Sequence, residues 1–388
     1  MEKSSYTPNV FIFTRYYLPG FRAGGPIRSI SNLVYHLERY IDFHIVTSDR
    51  DMGLSRHYNE VCLDTWIRNS ENEVIYLSRL FFGFNLLSLI LRNRKKSKVL
   101  YFNSFWDPMF TILPLIISKI FLNNCKVIIA PRGEFLDGAL GVKRLKKNFY
   151  LWFFRSLGFV NNVVWHTTSY DECDAIRKLF KIDSNSIFQI SNFSRIADKD
   201  IMKKGFLSGD TLRIVFLSRI SPKKNLAFAL SIISRLEFPT IFNIYGVIDD
   251  VEYWNYCQKL ISQMNNHVIV IYHGSVDNRF VLDIFSDNDV FFLPTKSENF
   301  GHAIVESLLA GTPVLLSDKT PWRNLSSFGV GWDLPLNSDE VFLSTLNSYY
   351  SDLINGVSIS RYNISQWINN RINHQYLIND YKIGRAHV

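Results

Sequence analysis

The sequence predicts an α/β protein built from two doubly wound parallel-sheet units. Three observations carry that expectation. Short, near-continuous apolar runs alternate with amphipathic segments, the pattern of parallel strands covered by helices on both faces. A polar stretch, SRIADKDIMKKGFLSGDT (194–211), interrupts the alternation, which then restarts. The chain has 388 residues, long for one core and suited to two domains of roughly 150–200 residues each. The expected divisions are an amino-terminal unit over 1–193, a linker over 194–211 and a carboxyl-terminal unit over 212–360. Helices over 361–383 are candidates to pack back on the first unit. The closing GRAHV (384–388) is unlike the rest of the chain and reads as a cloning remnant.

Taken in order, NVFIFTRYY reads as the first strand and PIRSISNLVYHLERY as the helix after it. FHIVTSD, NEVIYLS, KVLYFNS, KVIIAPRG, NVVWHTTS and SIFQISNF follow as strands, with helices between most of them. In the second half LRIVFLSRI, TIFNIYGVI, HVIVIYHGSV, DVFFLPTK and PVLLSD are the strands. NLAFALSIISRLE, VEYWNYCQKLISQM and DEVFLSTLNSYYSDL are helices. Ligands of such units bind at the carboxyl ends of the strands, and two units facing each other would form a deep cleft. The longest apolar run, MFTILPLIISKIFL (109–122), is too short to span a bilayer and reads as a buried helix.

Composition excludes several classes. With 47% hydrophobic and 20% charged residues the chain is an ordinary folded protein, and its 31 Phe and 19 Tyr predict aromatic cores. A net charge of +8 suits either an anionic partner or a generally basic surface. Cys62, Cys125, Cys173 and Cys257 form no CxxC pair, which argues against a zinc site or disulfide framework and fits a reducing cytosol. The start reads as a short polar lead into a strand rather than a signal peptide.

Neither half carries GxGxxG after its first strand, and a Walker A loop is absent, so a nicotinamide dehydrogenase is disfavoured. SRISPKKN (218–225) instead places Arg219 and Lys224 across a turn between a strand end and a helix start. A fork and a point charge there can neutralise a diphosphate; the same octamer also reads as a solvated turn. Further on, SENFG joins a strand to the helix HAIVESLLAG, with Glu298 before the helix and Glu306 about two turns inside it. Backbone N–H groups at that helix start can hold phosphate while the carboxylates accept from sugar hydroxyls. Alternatively Glu298 complements the helix dipole and Glu306 is an ordinary surface residue.

Together, SENFGHAIVESLLAGTPVLLSD and SRISPKKN resemble the retaining glycosyltransferases of family 4, which have two Rossmann-like domains in the GT-B fold. The E-x7-E pair matches at Glu298 and Glu306, and the R-x4-K pair at Arg219 and Lys224. KTPWRNL followed by GVGW, AGGP (23–26), APRGEF, HTTSYDECDAIRK and ISNF are also similar to family segments. The resemblance spans nearly the whole chain, and its motifs are most specific in the second half.

The resemblance implies that Arg219 and Lys224 bind the diphosphate of a nucleotide-sugar and stabilise it as a leaving group. Glu306 would hold the ribose, and Glu298 would contact the donor sugar with help from Asn299, Phe300, Gly301 and His302. Gly24 and Gly25 would let the backbone approach the phosphates. Retaining members transfer on the front face with the diphosphate helping to deprotonate the acceptor, so the resemblance implies no protein nucleophile, metal or cofactor. Many relatives place a histidine in the first domain near the reacting centre. Arg132, in PRGE, and His166, at a strand end, are candidates for that acceptor or phosphate role. Phe193 stands where relatives have a glycine after Asn192.

KRLKKNFYLWFFR (143–155) interleaves basic and aromatic residues. As a helix it could meet anionic lipid, or could simply bury its aromatic face. The functional form of that reading implies a lipid-linked saccharide acceptor, as in O-antigen or other bacterial polysaccharide assembly. Nucleic acid is not an expected partner, because no recognition motif accompanies the stretch. The expected activity is transfer of a hexose or N-acetylhexosamine from a nucleotide-sugar to a glycan. The expected place is the cytoplasm, with peripheral attachment to the inner face of the membrane left open. The alternatives are a nucleotide-sugar 2-epimerase and a catalytically silent binding protein of the same fold.

Overall fold

In the computed structural model the residues described are 8–69, 72–96, 99–122, 125–136, 144–195, 210–357, 359–372 and 374–383. Most of the expected linker and the closing GRAHV lie outside them, as does Lys143. The chain divides into two compact units. One comprises residues 1–193 with 374–388, and the other residues 194–373.

The logic of the first unit is visible in β1 (Asn9–Phe13). Val10 and Ile12 enter the core on one side of the sheet, and Phe11 and Phe13 the core on the other. Period-two alternation with both faces apolar makes a strand at home only between two helix layers. On one side lies α1 (Gly25–Leu37), whose Ile27, Ile30, Leu33, Val34 and Leu37 follow helical spacing and are buried. On the other lie α2 (Phe82–Arg92), α3 (Leu113–Phe121), α4 (Arg144–Ser156) and α5 (Tyr170–Phe180).

The remaining strands are β2 (Asp42–Ser48), β3 (Trp66–Asn69), β4 (Asn72–Leu77), β5 (Val99–Phe102), β6 (Lys126–Ile129), β7 (Val163–Thr167) and β8 (Ile187–Gln189). They form one sheet in the order β3-β4-β2-β1-β5-β6-β7-β8, parallel except for the edge pair of β3 with β4.

Two expectations need correction here. The run 109–122 is not one buried helix: a separate turn over Pro108–Ile112, capped by Asp107, precedes α3. The end of α3 leaves Ile120 and Phe121 exposed. The antiparallel β3, WIRN, was not anticipated, since four residues without regular alternation carry no strand signal.

The second unit has strands β9 (Leu212–Leu217), β10 (Thr240–Tyr245), β11 (Val268–Tyr272), β12 (Val290–Leu293), β13 (Val314–Ser317) and β14 (Gly331–Leu334). They form an all-parallel sheet in the order β11-β10-β9-β12-β13-β14. Its helices are α6 (Leu226–Ile233), α7 (Val251–Ile261), α8 (Val281–Ser286), α9 (His302–Leu309), α10 (Asp339–Ile354) and α11 (Arg361–Arg371).

Crossing from β9 to β12 across the strand order makes a switch point there, where the loops after the two strands are neighbours. Helix α11 is anchored by buried Arg361, which donates to Thr312 Oγ1 and Asn288 O, both at 2.9 Å. The last helix, α12 (His374–Ile383), belongs to the first unit, with Tyr381 stacked on Phe193 and His374 on His36. No helix among the described residues is long and apolar enough to cross a membrane.

Candidate functional site

The site grows from the switch point of the second unit. After β9 the chain turns through 218–225, and after β12 through 294–301. Main-chain bonds tie the two turns: Lys296 N–H donates to Lys223 O at 2.8 Å, and Thr295 Oγ1 donates to the same carbonyl at 3.2 Å. Glu298 N–H donates in turn to Lys319 O, in the loop after β13, at 2.9 Å. The side chains between them are thus held by three strand ends rather than by one flexible loop.

Within this frame Lys224 Nζ meets Glu298 Oε2 at 2.5 Å, with only 13% and 16% of the two side chains exposed. Glu298 also accepts from the Asn299 N–H at 3.2 Å. Burial, the largest influence on this carboxyl, pushes it up. Lys224, Lys223 and the Asn299 N–H together outweigh burial and hold it below the usual carboxylate range. Arg219 is more open and pairs with Asp249 at 3.1 Å. Burial, with the neighbouring cations of Lys224 and Arg219, lowers the pKa of Lys223.

Gly301 caps α9 with φ +80°. A Cβ there would sit 2.6 Å from Ile304 Cδ1 and 3.2 Å from Glu298 Cγ, so the turn needs glycine on both counts. Phe300 is buried, and its carbonyl accepts from Trp322 Nε1 at 2.6 Å. His302 opens α9 and Glu306 lies in its second turn, both largely buried. The structure therefore brings Lys224, Glu298 and Asn299 into direct contact and sets Arg219 on the same turn as Lys224. Two carboxylate–cation pairs with main-chain amides at a helix start can receive an anion beside hydroxyl groups.

The first unit's candidates fall out differently. Gly24 has φ +65° with open space around its α-carbon, and Gly25 begins α1. His166 is fully buried. Its Nδ1 lies 2.6 Å from Tyr101 Oη, and its Nε2 lies 3.1 Å from Ile190 O and 3.2 Å from Tyr381 Oη. Burial, reinforced by Arg132, lowers its pKa to about 3. Neither ring nitrogen faces solvent, so His166 is a neutral core residue and not the acceptor or phosphate group expected.

Arg132 donates to Asn103 Oδ1 at 2.8 Å, Asn192 Oδ1 at 2.5 Å and Tyr101 Oη at 2.8 Å. It works as a brace of the first unit.

Sequence reasoning missed three groups. Asp249 follows β10 in VIDD, Trp322 was seen only within a motif, and Arg15 grips Asp107 through bonds of 2.5 and 2.8 Å. Each lies just beyond a strand's carboxyl end, and that position was the available signal.

The family model described as glycosyl transferases group 1 matches residues 197–352. A Klebsiella pneumoniae protein, described as an uncharacterized 41.2 kDa protein in cps region, is 23% identical over 279 residues, 68% of this chain. That match spans 65% of the relative's length.

Among solved structures, HepE of Anabaena in complex with UDP and glucose superposes with a TM-score of 0.71 at 13% identity, covering 99% of this chain and 100% of that one. Sucrose-phosphate synthase of Thermosynechococcus elongatus gives 0.72 at 14%, covering 98% of each chain. WaaG, a glycosyltransferase involved in lipopolysaccharide biosynthesis, gives 0.63 at 12%, covering 93% of this chain and 95% of that one. Residues 197–352 thus match the glycosyl transferases group 1 domain, within a chain whose two parallel-sheet units have the fold of GT-B glycosyltransferases.

Proposed function

We propose that this protein is a retaining glycosyltransferase that moves a hexose or N-acetylhexosamine from a nucleotide-diphosphate sugar to a glycan acceptor. The observation that carries the reading is the Lys224–Glu298 pair, preset at the switch point beside Arg219. In the proposed reaction the bond from the sugar's anomeric carbon to the diphosphate breaks. A bond to an acceptor hydroxyl oxygen forms on the same face, and the hydroxyl proton passes to the departing diphosphate. Arg219 and Lys224 stabilise the charge that develops on the leaving group, which is where fixed cations lower a barrier most. Glu298 contacts the donor sugar with Asn299, Phe300, Gly301 and His302, Glu306 holds the ribose, and Gly24 and Gly25 approach the phosphates. No step is assigned to a metal or cofactor.

The pathway part of the proposal is cell-surface polysaccharide synthesis on a lipid-linked acceptor at the inner face of the membrane. A relative in a cps region and a structural neighbour named for lipopolysaccharide biosynthesis support it. So does α4, which buries Tyr150, Leu151 and Phe154 yet leaves Phe149 and Trp152 exposed on the same helix as Lys147 and Arg155. Aromatic rings turned to water among cations fit an anionic bilayer surface. The test is release of nucleoside diphosphate from UDP-, GDP- and ADP-sugars incubated with the protein and a lipid-linked saccharide fraction. The reading expects turnover with one donor, lowered by about 100-fold in Arg219→Ala. Turnover equal in wild type and variant would overturn it.

A further inference from the structure

Lys223 carries no role in the reading above, yet its placement is unusual. Its carbonyl is fixed by Lys296 N–H and Thr295 Oγ1, so its α-carbon is locked to the turn after β12. Its side chain is half-buried. The other two cations of the turn each have a carboxylate: Arg219 has Asp249, and Lys224 has Glu298. Lys223 has neither a hydrogen bond nor an ion pair at its ammonium among the described residues. Three cations against two carboxylates leave one positive charge uncompensated.

The charged groups that act on Lys223 are Lys224 and Arg219 on its own turn and Glu298 on the turn after β12. Burial and the two cations push its pKa down, and only Glu298 pulls the other way. An incoming anion stabilises such an ammonium.

We infer that Lys223 is a third phosphate-binding cation, which matches the site to a nucleoside diphosphate rather than a monophosphate. The inference rests on the proposed donor site and extends it. Two phosphate groups bring more negative charge than the single cation excess, and they can draw Arg219 and Lys224 partly away from their carboxylates. One phosphate group reaches fewer of the three cations than two groups do.

The test is calorimetric titration of wild type, Lys223→Gln and Lys223→Arg with UDP, GDP and ADP and with the matching monophosphates, alongside thermal melts without ligand. Lys223→Gln should weaken the preferred diphosphate about tenfold and the monophosphate by a factor of about three or less. Its ligand-free melting temperature should equal or exceed that of wild type, because a repelled charge has gone. As pH rises above neutrality, where the phosphates no longer titrate, diphosphate affinity should fall further in wild type than in Lys223→Arg. Unchanged diphosphate affinity in Lys223→Gln, or equal losses for both ligand classes, overturns the role of Lys223 while leaving the donor site standing. If wild type binds none of the diphosphates, the donor-site reading falls and this inference with it.

Discussion

Lys224 and Glu298, 74 positions apart in the chain, hold their charges 2.5 Å apart at the junction of the turns after β9 and β12. The strand order brings them together. A cation held this way is already at the site when a phosphate arrives, which is the advantage of a preset site.

Removing one member strands the other in a largely buried position. Lys224→Met and Glu298→Gln should each destabilise the second unit by roughly 1–3 kcal/mol, and a double-mutant cycle should return a coupling of about 1–3 kcal/mol. Additive effects in urea unfolding would remove the pair from the account.

That pair also sets a pH dependence. The folded carboxyl of Glu298 lies below its unfolded value, so the stabilisation is complete above the unfolded range, about pH 4.3, and is lost as pH falls through the lower folded value. The stability gap between wild type and Glu298→Gln should therefore stay level from pH 7 to 5 and close only at lower pH. A gap that closes near neutrality contradicts the assignment.

His166 acts with the opposite residue type and the same sign. Its folded pKa of about 3 lies below the unfolded value, so the unfolded chain binds the extra proton below pH 6.5, and stability is lost as pH falls. Glu134 opposes this. Burial pushes its carboxyl up to about 7 against the donors Phe105 N–H, Ser104 Oγ and Trp106 N–H, so its share falls as pH rises through that value. The two offset in wild type, and His166→Gln separates them. On lowering the pH from 6 to 5 the wild type should change little, while the variant, left with Glu134 alone, should gain about 1 kcal/mol relative to it. Equal slopes would show that His166 titrates normally.

At Gly301 the backbone and the space make the same demand. Gly301→Ala places a Cβ at φ +80° against Ile304 and should cost about 1–3 kcal/mol while loosening the turn that carries Glu298. Thermal melts and nucleotide titration on the same sample check both parts. An alanine variant that melts and binds like wild type would show the turn has room that the geometry denies.

The exposed aromatics of α4 give a prediction for membranes. Vesicles containing anionic lipid should sediment the wild-type protein, and Phe149→Ser with Trp152→Ser should abolish sedimentation without lowering the melting temperature, since both rings stand outside the core. Sedimentation that is insensitive to these two rings assigns the attachment elsewhere.

How much of this was legible beforehand depends on how local each feature is. The core strands were readable because a strand buried on both faces is a continuous apolar run. β3 and β14 were not, because each is a four-residue edge strand with mixed polarity. Arg219, Lys224, Glu298 and Glu306 could be picked out by spacing around turns. Their partners could not: Lys224 finds Glu298 and Arg219 finds Asp249 only through the strand order. His166 shows the limit most clearly. A histidine at a strand end looks available, and only Tyr101 and Tyr381, 65 and 215 positions away, reveal that it is enclosed.

On the proposed function, the second unit holds a nucleoside diphosphate on Arg219 and Lys224. Calorimetry with UDP, GDP and ADP on wild type, Arg219→Ala and Lys224→Met tests it most directly. One diphosphate should bind wild type, and each variant should lose roughly 10- to 100-fold in affinity, as expected for a lost charge-assisted bond. Undiminished affinity in both variants would contradict it.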